Sequence, residues 1–256
     1  MTATLAELAP ALQEMLFLGF VVFLRVGGAM ALMPAFGEVS VPMRVRLGLA
    51  LAFTAAVMPA VAESVGAGRG VPPRAMLTEP LLGLAIGAML RFFVLALQTA
   101  GTIAAQATSL SQLFGGSGGE PQPAIGHILV AAGLALAVMS GLPVKIALLL
   151  IASYDVLPPG QALEVGRILA WGLSGVSASF SLALSIAAPF VIAGLIYNVA
   201  LGAINRAMPQ LMVAFVGAPA LTLGGLALLS IALPAGLAFW HATLDGFLAA
   251  PFGGPG

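Results

Sequence analysis

Apolar residues run along this chain in long unbroken stretches, separated by short polar or glycine- and proline-rich connections. Six such stretches cover residues 12–33, 47–62, 77–105, 125–153, 168–201 and 211–244. None shows the short alternation of apolar and polar positions that marks a barrel strand, and Leu, Ala and Gly dominate them. Backbone N–H and C=O groups surrounded by hydrocarbon must be paired within their own segment, so runs of this kind are helices. No Asp, Glu, Lys or Arg occurs between residues 168 and 205, nor between 207 and 244. Each uncharged run exceeds the roughly 20 residues that cross the hydrocarbon core as a helix. The pattern predicts an all-α membrane protein with about six apolar segments.

The last two stretches are too long for a simple span, and both contain proline: Pro189 in one, Pro219 and Pro234 in the other. Pro143 interrupts the fourth. Proline removes a backbone donor and bends or ends a helix, and the carbonyl it frees must be satisfied by neighbouring protein. The expectation is kinked helices and helical hairpins at these places, packed inside an assembly. Six spans would put Arg69, Arg74 and Arg167 on one side of the membrane and Arg44, Arg46 and Arg206 on the other, so the charge bias that usually sets orientation is a tie.

Composition sharpens the membrane reading. Of 256 residues 61% are hydrophobic and 7% charged, against about 25% charged in a soluble domain. So few charges cannot clothe a water-facing surface; lipid and protein neighbours must do so. Formal net charge is zero, and no basic patch exists to neutralise phosphates, which argues against nucleic-acid binding. The absence of cysteine removes disulfide and thiolate chemistry. The start of the chain carries Glu7 and Glu14 in place of a basic leader, and is read as leading into a retained first span.

The sequence carries no sign of an enzyme. His127 and His241 lie in different segments without metal-ligand spacing, and Gly66–Gly70 (GAGRG) lacks the spacing of a dinucleotide site. No cofactor is implied. Three cations fall inside apolar segments, Arg25, Arg91 and Lys145, while Glu38, Glu79 and Asp155 sit at segment edges. A charge at the bilayer centre costs at least about 2.5–3.5 kcal/mol on insertion scales, so such residues need a reason. Without a carboxylate deep in a segment a proton relay is disfavoured, and Arg25 and Arg91 are expected to snorkel or to bind backbone carbonyls of neighbouring helices. Gly83 and Gly87 have the small-xxx-small spacing that lets helix backbones approach closely. Residues 111–123, SQLFGGSGGEPQP, hold four glycines and two prolines. From composition this stretch is either a solvent linker or a mobile loop that lines or closes a pore.

Three strings together resemble one family: RVGGAMALMPAFGEVSVPMRVRLGLAL from Arg25 to Leu51, EPLLGLAIG from Glu79 to Gly87, and NRAMPQLMVAFVGAPA from Asn205 to Ala220. Their order, spacing and the overall length are similar to the FliR family of flagellar biosynthesis proteins, which also includes the T component of injectisome export gates. The resemblance covers nearly the whole chain. It implies a structural, pore-forming subunit of the type III export gate, in the bacterial inner membrane at the flagellar basal body. The implied partners are FliP-like and FliQ-like gate subunits, an FlhB-like switch protein, unfolded flagellar export substrates and membrane lipid. It further implies that residues 1–165 form a FliP-like part and 166–256 a FliQ-like helical hairpin.

In that family the loop after the third segment plugs the closed pore. Here its place is taken by Leu113, Phe114, Gly115, Gly116, Ser117, Gly118, Gly119, Glu120, Pro121 and Gln122, a run richer in glycine than the family pattern, with Phe114 as the natural apolar stopper. Arg25, Arg44, Arg46, Glu79, Gly83, Gly87, Arg206, Pro209 and Gln210 become candidates for packing between segments and subunits. Two other readings remain at this point: an injectisome gate subunit with different cargo, and a small-molecule transporter acting alone, which would call for an internal repeat that the two halves do not show.

Overall fold

A computed structural model of the chain describes residues 2–38, 41–65, 73–109, 124–161, 164–208 and 213–253. The described residues form seven helices: α1 (Thr2–Leu32), α2 (Met43–Val65), α3 (Ala75–Ser109), α4 (Ala124–Met139), α5 (Leu142–Val156), α6 (Val165–Ala207) and α7 (Val213–Ala249). No strand occurs among them. Five helices are long and apolar enough to cross a membrane, and the α4–α5 pair makes a sixth if read as one broken span. The expected all-α architecture and the number of apolar segments are both found.

The breaks fall differently from expectation. The fourth apolar segment is divided, but at Ser140 and Gly141, ahead of Pro143. Gly141 takes φ 86°, a left-handed conformation that glycine adopts without steric cost, and Pro143 sits in the first turn of α5. A missing N–H is harmless there, because first-turn donors have no partner inside the helix. No break falls at Pro189 or Pro234: α6 runs 43 residues and α7 runs 37 residues as continuous helices. Pro219 lies on α7, in a stretch whose side chains are outside the described ones. The reason is local: one missing ladder bond is tolerated when several turns of good helix lie on either side. Pro59 in α2 is accommodated in the same way, and Pro80 stands early in α3, in its second turn.

Two compact units can be distinguished, and α3 and α6 each contribute to both. The first comprises residues 1–92, 138–175 and 246–256. Its core is apolar and well covered: Val22, Val26 and Met30 from α1, Val57 and Val61 from α2, Leu90 from α3, Ile146 and Leu150 from α5. Phe36 and Phe53 meet edge to face, with ring centroids 5.7 Å apart. This fixes the turn after α1 on α2.

The second unit comprises residues 93–137 and 176–245. Small residues bring its helices together: Gly101 of α3 lies against Gly126 of α4, and Gly194 of α6 against the Ala107 carbonyl. Ala104 and Ala107 of α3 and Phe190 of α6 form a buried cluster on which Leu228, Leu229 and Ala232 of α7 pack, while Gly236 faces Ile186 at a similar distance from the connection between α6 and α7, as in an antiparallel pairing of these two helices. Trp240 is buried and donates its indole N–H to the Phe93 carbonyl at 2.9 Å. Much of α6 stays bare, with Leu169, Phe180, Leu184, Leu195, Ile196 and Val199 exposed.

Candidate functional site

The most heavily connected polar group lies inside the first unit. Arg25, in the seventh turn of α1, has no exposed surface, and neither has Glu79 in the second turn of α3. A buried charge is tolerated only when paired and fully hydrogen-bonded, and the guanidinium meets that condition. Its Nε donates to Glu79 Oε2 at 2.7 Å, Nη1 donates to Ser153 Oγ at 3.0 Å, and Nη2 donates to the Leu157 carbonyl at 2.8 Å. The same guanidinium lies over the Tyr154 ring, 3.8 Å from its centroid, a cation–π contact. The Ser153 hydroxyl in turn donates a hydrogen bond to the Leu150 carbonyl at 2.6 Å. The other Glu79 oxygen accepts from the Gly160 amide at 3.4 Å. One arginine therefore ties α1, α3, the end of α5 and the connection leading to α6.

The sequence supports this locally. Three helices come close because glycines line the seam between α1 and α3. A methyl at Gly28 would meet the Pro80 backbone, one at Gly83 the Arg25 carbonyl oxygen, and one at Gly87 the Ala29 carbonyl. The Gly83–Gly87 spacing thus marks a real close approach. Gly160 holds φ 70°, which turns the chain so that its amide faces Glu79. The expectation that Arg25 snorkels is overturned: it reaches the core, and a backbone carbonyl is only one of its partners. Glu79 stands near the start of α3, as its place at a segment edge implied, and is buried and ion-paired there.

A second, partly exposed pair fixes the turn after α1. Arg91 of α3 pairs with Glu38, and Arg46 of α2 donates to the Glu38 carbonyl at 2.9 Å. Gly37 is required in that turn: a side chain there would stand 2.8 Å from the Met30 and Met33 carbonyl oxygens. Arg91 also was expected to reach carbonyls or lipid headgroups, and meets a carboxylate instead.

Of the sequence candidates, the structure brings together Arg25, Glu79, Gly83 and Gly87, and places Arg46 at the neighbouring turn. Arg44 is exposed on the first turn of α2, and Arg206 is exposed in the last turn of α6. Pro209, Gln210 and the loop from Leu113 to Gln122 lie outside the described residues. Ser153, Tyr154 and Leu157 were missed. Their one signal is that Ser153–Tyr154–Asp155 is a polar cluster closing an apolar run, which is also what an ordinary helix end looks like.

The site's chemistry is that of a clasp. Guanidinium does not give up its proton in proteins, so the pair holds charge in place without relaying it. No group of His, Asp and Glu able to hold a metal ion occurs among the described residues. His241 of α7 faces Asp245 at 3.3 Å, a contact one helical turn long.

Comparison with known proteins places these features. Residues 16–247 match the family described as Bacterial export proteins, family 1. The chain is 33% identical to the flagellar biosynthetic protein FliR of Caulobacter vibrioides, over 85% of this chain and 88% of that one. It is 30% identical to the FliR of Escherichia coli K12, over 82% of each.

Proposed function

This chain belongs to the FliR family of bacterial export proteins, and we propose on that footing that it is a structural, pore-forming subunit of the flagellar type III export gate. The observation that carries the reading is the length and bareness of α6. At 1.5 Å per residue, its 43 residues extend about 65 Å, roughly twice the 30 Å hydrocarbon core. The helix carries no charge between residues 168 and 205, and apart from one buried stripe that includes Leu182, Ile186 and Phe190, large apolar side chains are exposed along that length. Tilt cannot hide a rod twice as long as the membrane is thick. The part beyond the lipid needs apolar protein partners, as a helical multi-subunit gate provides.

The partners that fit are FliP-like and FliQ-like subunits, with an FlhB-like switch protein at the cytoplasmic side and unfolded flagellar proteins as cargo. The place is the bacterial inner membrane at the flagellar basal body. In this reading residues 1–165 take the FliP-like part, and 166–256, whose α6 and α7 run antiparallel, take the FliQ-like hairpin. Arg44, Arg206, Pro209 and Gln210 serve contacts between subunits, and Arg25 and Glu79 with Gly83 and Gly87 hold the first unit rigid behind them. The chain is not an enzyme here; the work of export is supplied elsewhere in the apparatus. Flagellar relatives favour flagellar over injectisome cargo, and the match across residues 16–247 leaves the lone-transporter reading without support.

Deletion of the gene should abolish motility and the export of rod, hook and filament proteins, with plasmid-borne protein restoring both. A motile deletion strain, or a chain that purifies only as a monomer from cells making flagella, overturns the proposal. The loop from Leu113 to Gln122 is assigned the plug. Removing residues 115–119 should make the assembled gate leaky to small ions, and unchanged conductance counts against that assignment.

A further inference from the structure

The first unit holds a cavity that the Arg25 clasp does not use. Its volume is about 430 Å³, in the range of small-molecule pockets. Its walls are largely hydrocarbon, from Leu82 and Ile86 of α3, Leu157 at the end of α5, Ile168 and Trp171 of α6, and Phe252 after α7. One wall is fixed by design of the contacts: the Trp171 indole N–H donates to the Pro251 carbonyl at 3.1 Å, and its ring stacks on Phe252 at 6.1 Å.

The charged residue lining the cavity is Arg167, whose Nη2 lies 2.9 Å from Glu164 Oε2, both side chains being largely exposed; the hydroxyl of Ser174, also on the lining, is taken up by the Trp171 carbonyl at 2.7 Å. A cation and an anion thus stand together beside an apolar slot, with an indole at the boundary, a residue suited to the border of hydrocarbon and water. We propose that this cavity takes one acyl chain of a zwitterionic phospholipid with a primary-ammonium headgroup, its phosphate on Arg167 and its ammonium on Glu164. Charge decides between lipid classes. Arg167 alone would favour an anionic headgroup, but Glu164 at 2.9 Å offsets that attraction and offers an acceptor for ammonium N–H donors. The inference needs only that the chain lies in a membrane, and does not rest on the gate reading.

The bound chain would also act on the clasp. Leu157 lines the cavity, and its carbonyl holds Arg25 Nη2. Filling the cavity braces the residue that receives that hydrogen bond.

The test uses the full chain purified in mild detergent with whatever subunits accompany it, stripped of lipid and examined by native mass spectrometry after adding back phosphatidylethanolamine, phosphatidylcholine or phosphatidylglycerol. One phosphatidylethanolamine per copy of this chain is expected, held about tenfold more tightly than phosphatidylglycerol. Glu164→Gln should reverse that order, and Ala85→Trp, which fills the slot, should abolish retention. Because Ala85→Trp can disturb folding, a second measurement stands beside it: quenching of tryptophan fluorescence by phosphatidylethanolamine brominated on its acyl chains, present in wild type and lost in Trp171→Phe. Three results would overturn the proposal: no retained phospholipid, equal affinity for the two headgroups in wild type and Glu164→Gln, or no difference in quenching between wild type and Trp171→Phe. A partner side chain found in the slot would do so as well. Loss or survival of flagellar export bears on the gate reading and not on this one.

Discussion

The backbone carbonyl of Arg25 occupies the space into which a side chain at Gly83 would grow, while the Arg25 side chain reaches Glu79 one turn earlier on the same helix. Helices α1 and α3 are therefore locked twice by one residue, once by closeness and once by charge. Gly83→Ala forces the two backbones apart and breaks the geometry of the ion pair together with the seam. A loss of about 1–3 kcal/mol is expected, as for other overpacked sites, read as a lower melting temperature in detergent and a smaller amount of protein in the membrane. Gly87→Ala should behave alike. Gly48→Ala is the control, since nothing lies within 4 Å of a methyl built there; it should be neutral or gain up to about 1 kcal/mol from helix propensity.

The ion pair predicts a characteristic non-additivity. Glu79→Gln leaves Arg25 buried without its counter-charge and should cost about 3–5 kcal/mol. Arg25→Met should cost a similar amount by stranding Glu79. The double variant Arg25→Met with Glu79→Gln leaves no buried charge and should be far less damaged than the sum of the two. Thermal unfolding of the three proteins measures this; simple additivity would show that the pair is not coupled.

Tyr154 separates two roles on one side chain. Its ring receives the guanidinium, whereas its buried hydroxyl makes no hydrogen bond among the described residues. Tyr154→Phe keeps the ring and removes an unsatisfied polar atom, so stability should be unchanged or slightly raised. Tyr154→Leu removes the cation–π contact and should cost about 0.5–2 kcal/mol. A Phe variant as damaged as the Leu variant would mean that the hydroxyl has a partner in the assembly.

Much of this fold could be read directly from the apolar runs, because a membrane helix must carry its own length of hydrocarbon. The positions of the breaks could not. Pro189 and Pro234 sit in unbroken helices because a missing N–H costs little when flanking turns hold the helix together, while the real break falls at Gly141, whose φ of 86° is a property of the turn and not of composition. The clasp was half legible. Arg25, Glu79, Gly83 and Gly87 stood out singly as charges and glycines in apolar surroundings. The meeting of Arg25 with Ser153 and Leu157 spans 128 and 132 positions of chain, a distance over which residue spacing carries no information.

Trp240 gives a corresponding test in the second unit. Trp240→Phe keeps most of the buried ring but leaves the Phe93 carbonyl without its indole donor, with an expected cost of about 0.5–1.5 kcal/mol. Trp240→Ala adds a cavity beside Leu97 and Leu237, which both crowd around Gly133 with it, and should cost about 3–5 kcal/mol. Both are read from thermal unfolding.

The span of α6 has a consequence for how the cell makes this protein. A bare greasy rod that outreaches the bilayer at one end or both has no comfortable resting state before its companions arrive. The newly made chain is then expected to be a substrate for membrane proteases and holdase chaperones, with a lifetime set by the supply of the subunits proposed above. Pulse-chase labelling in cells lacking those companions would show rapid turnover, and raising the synthesis of this chain alone would not raise its steady-state level.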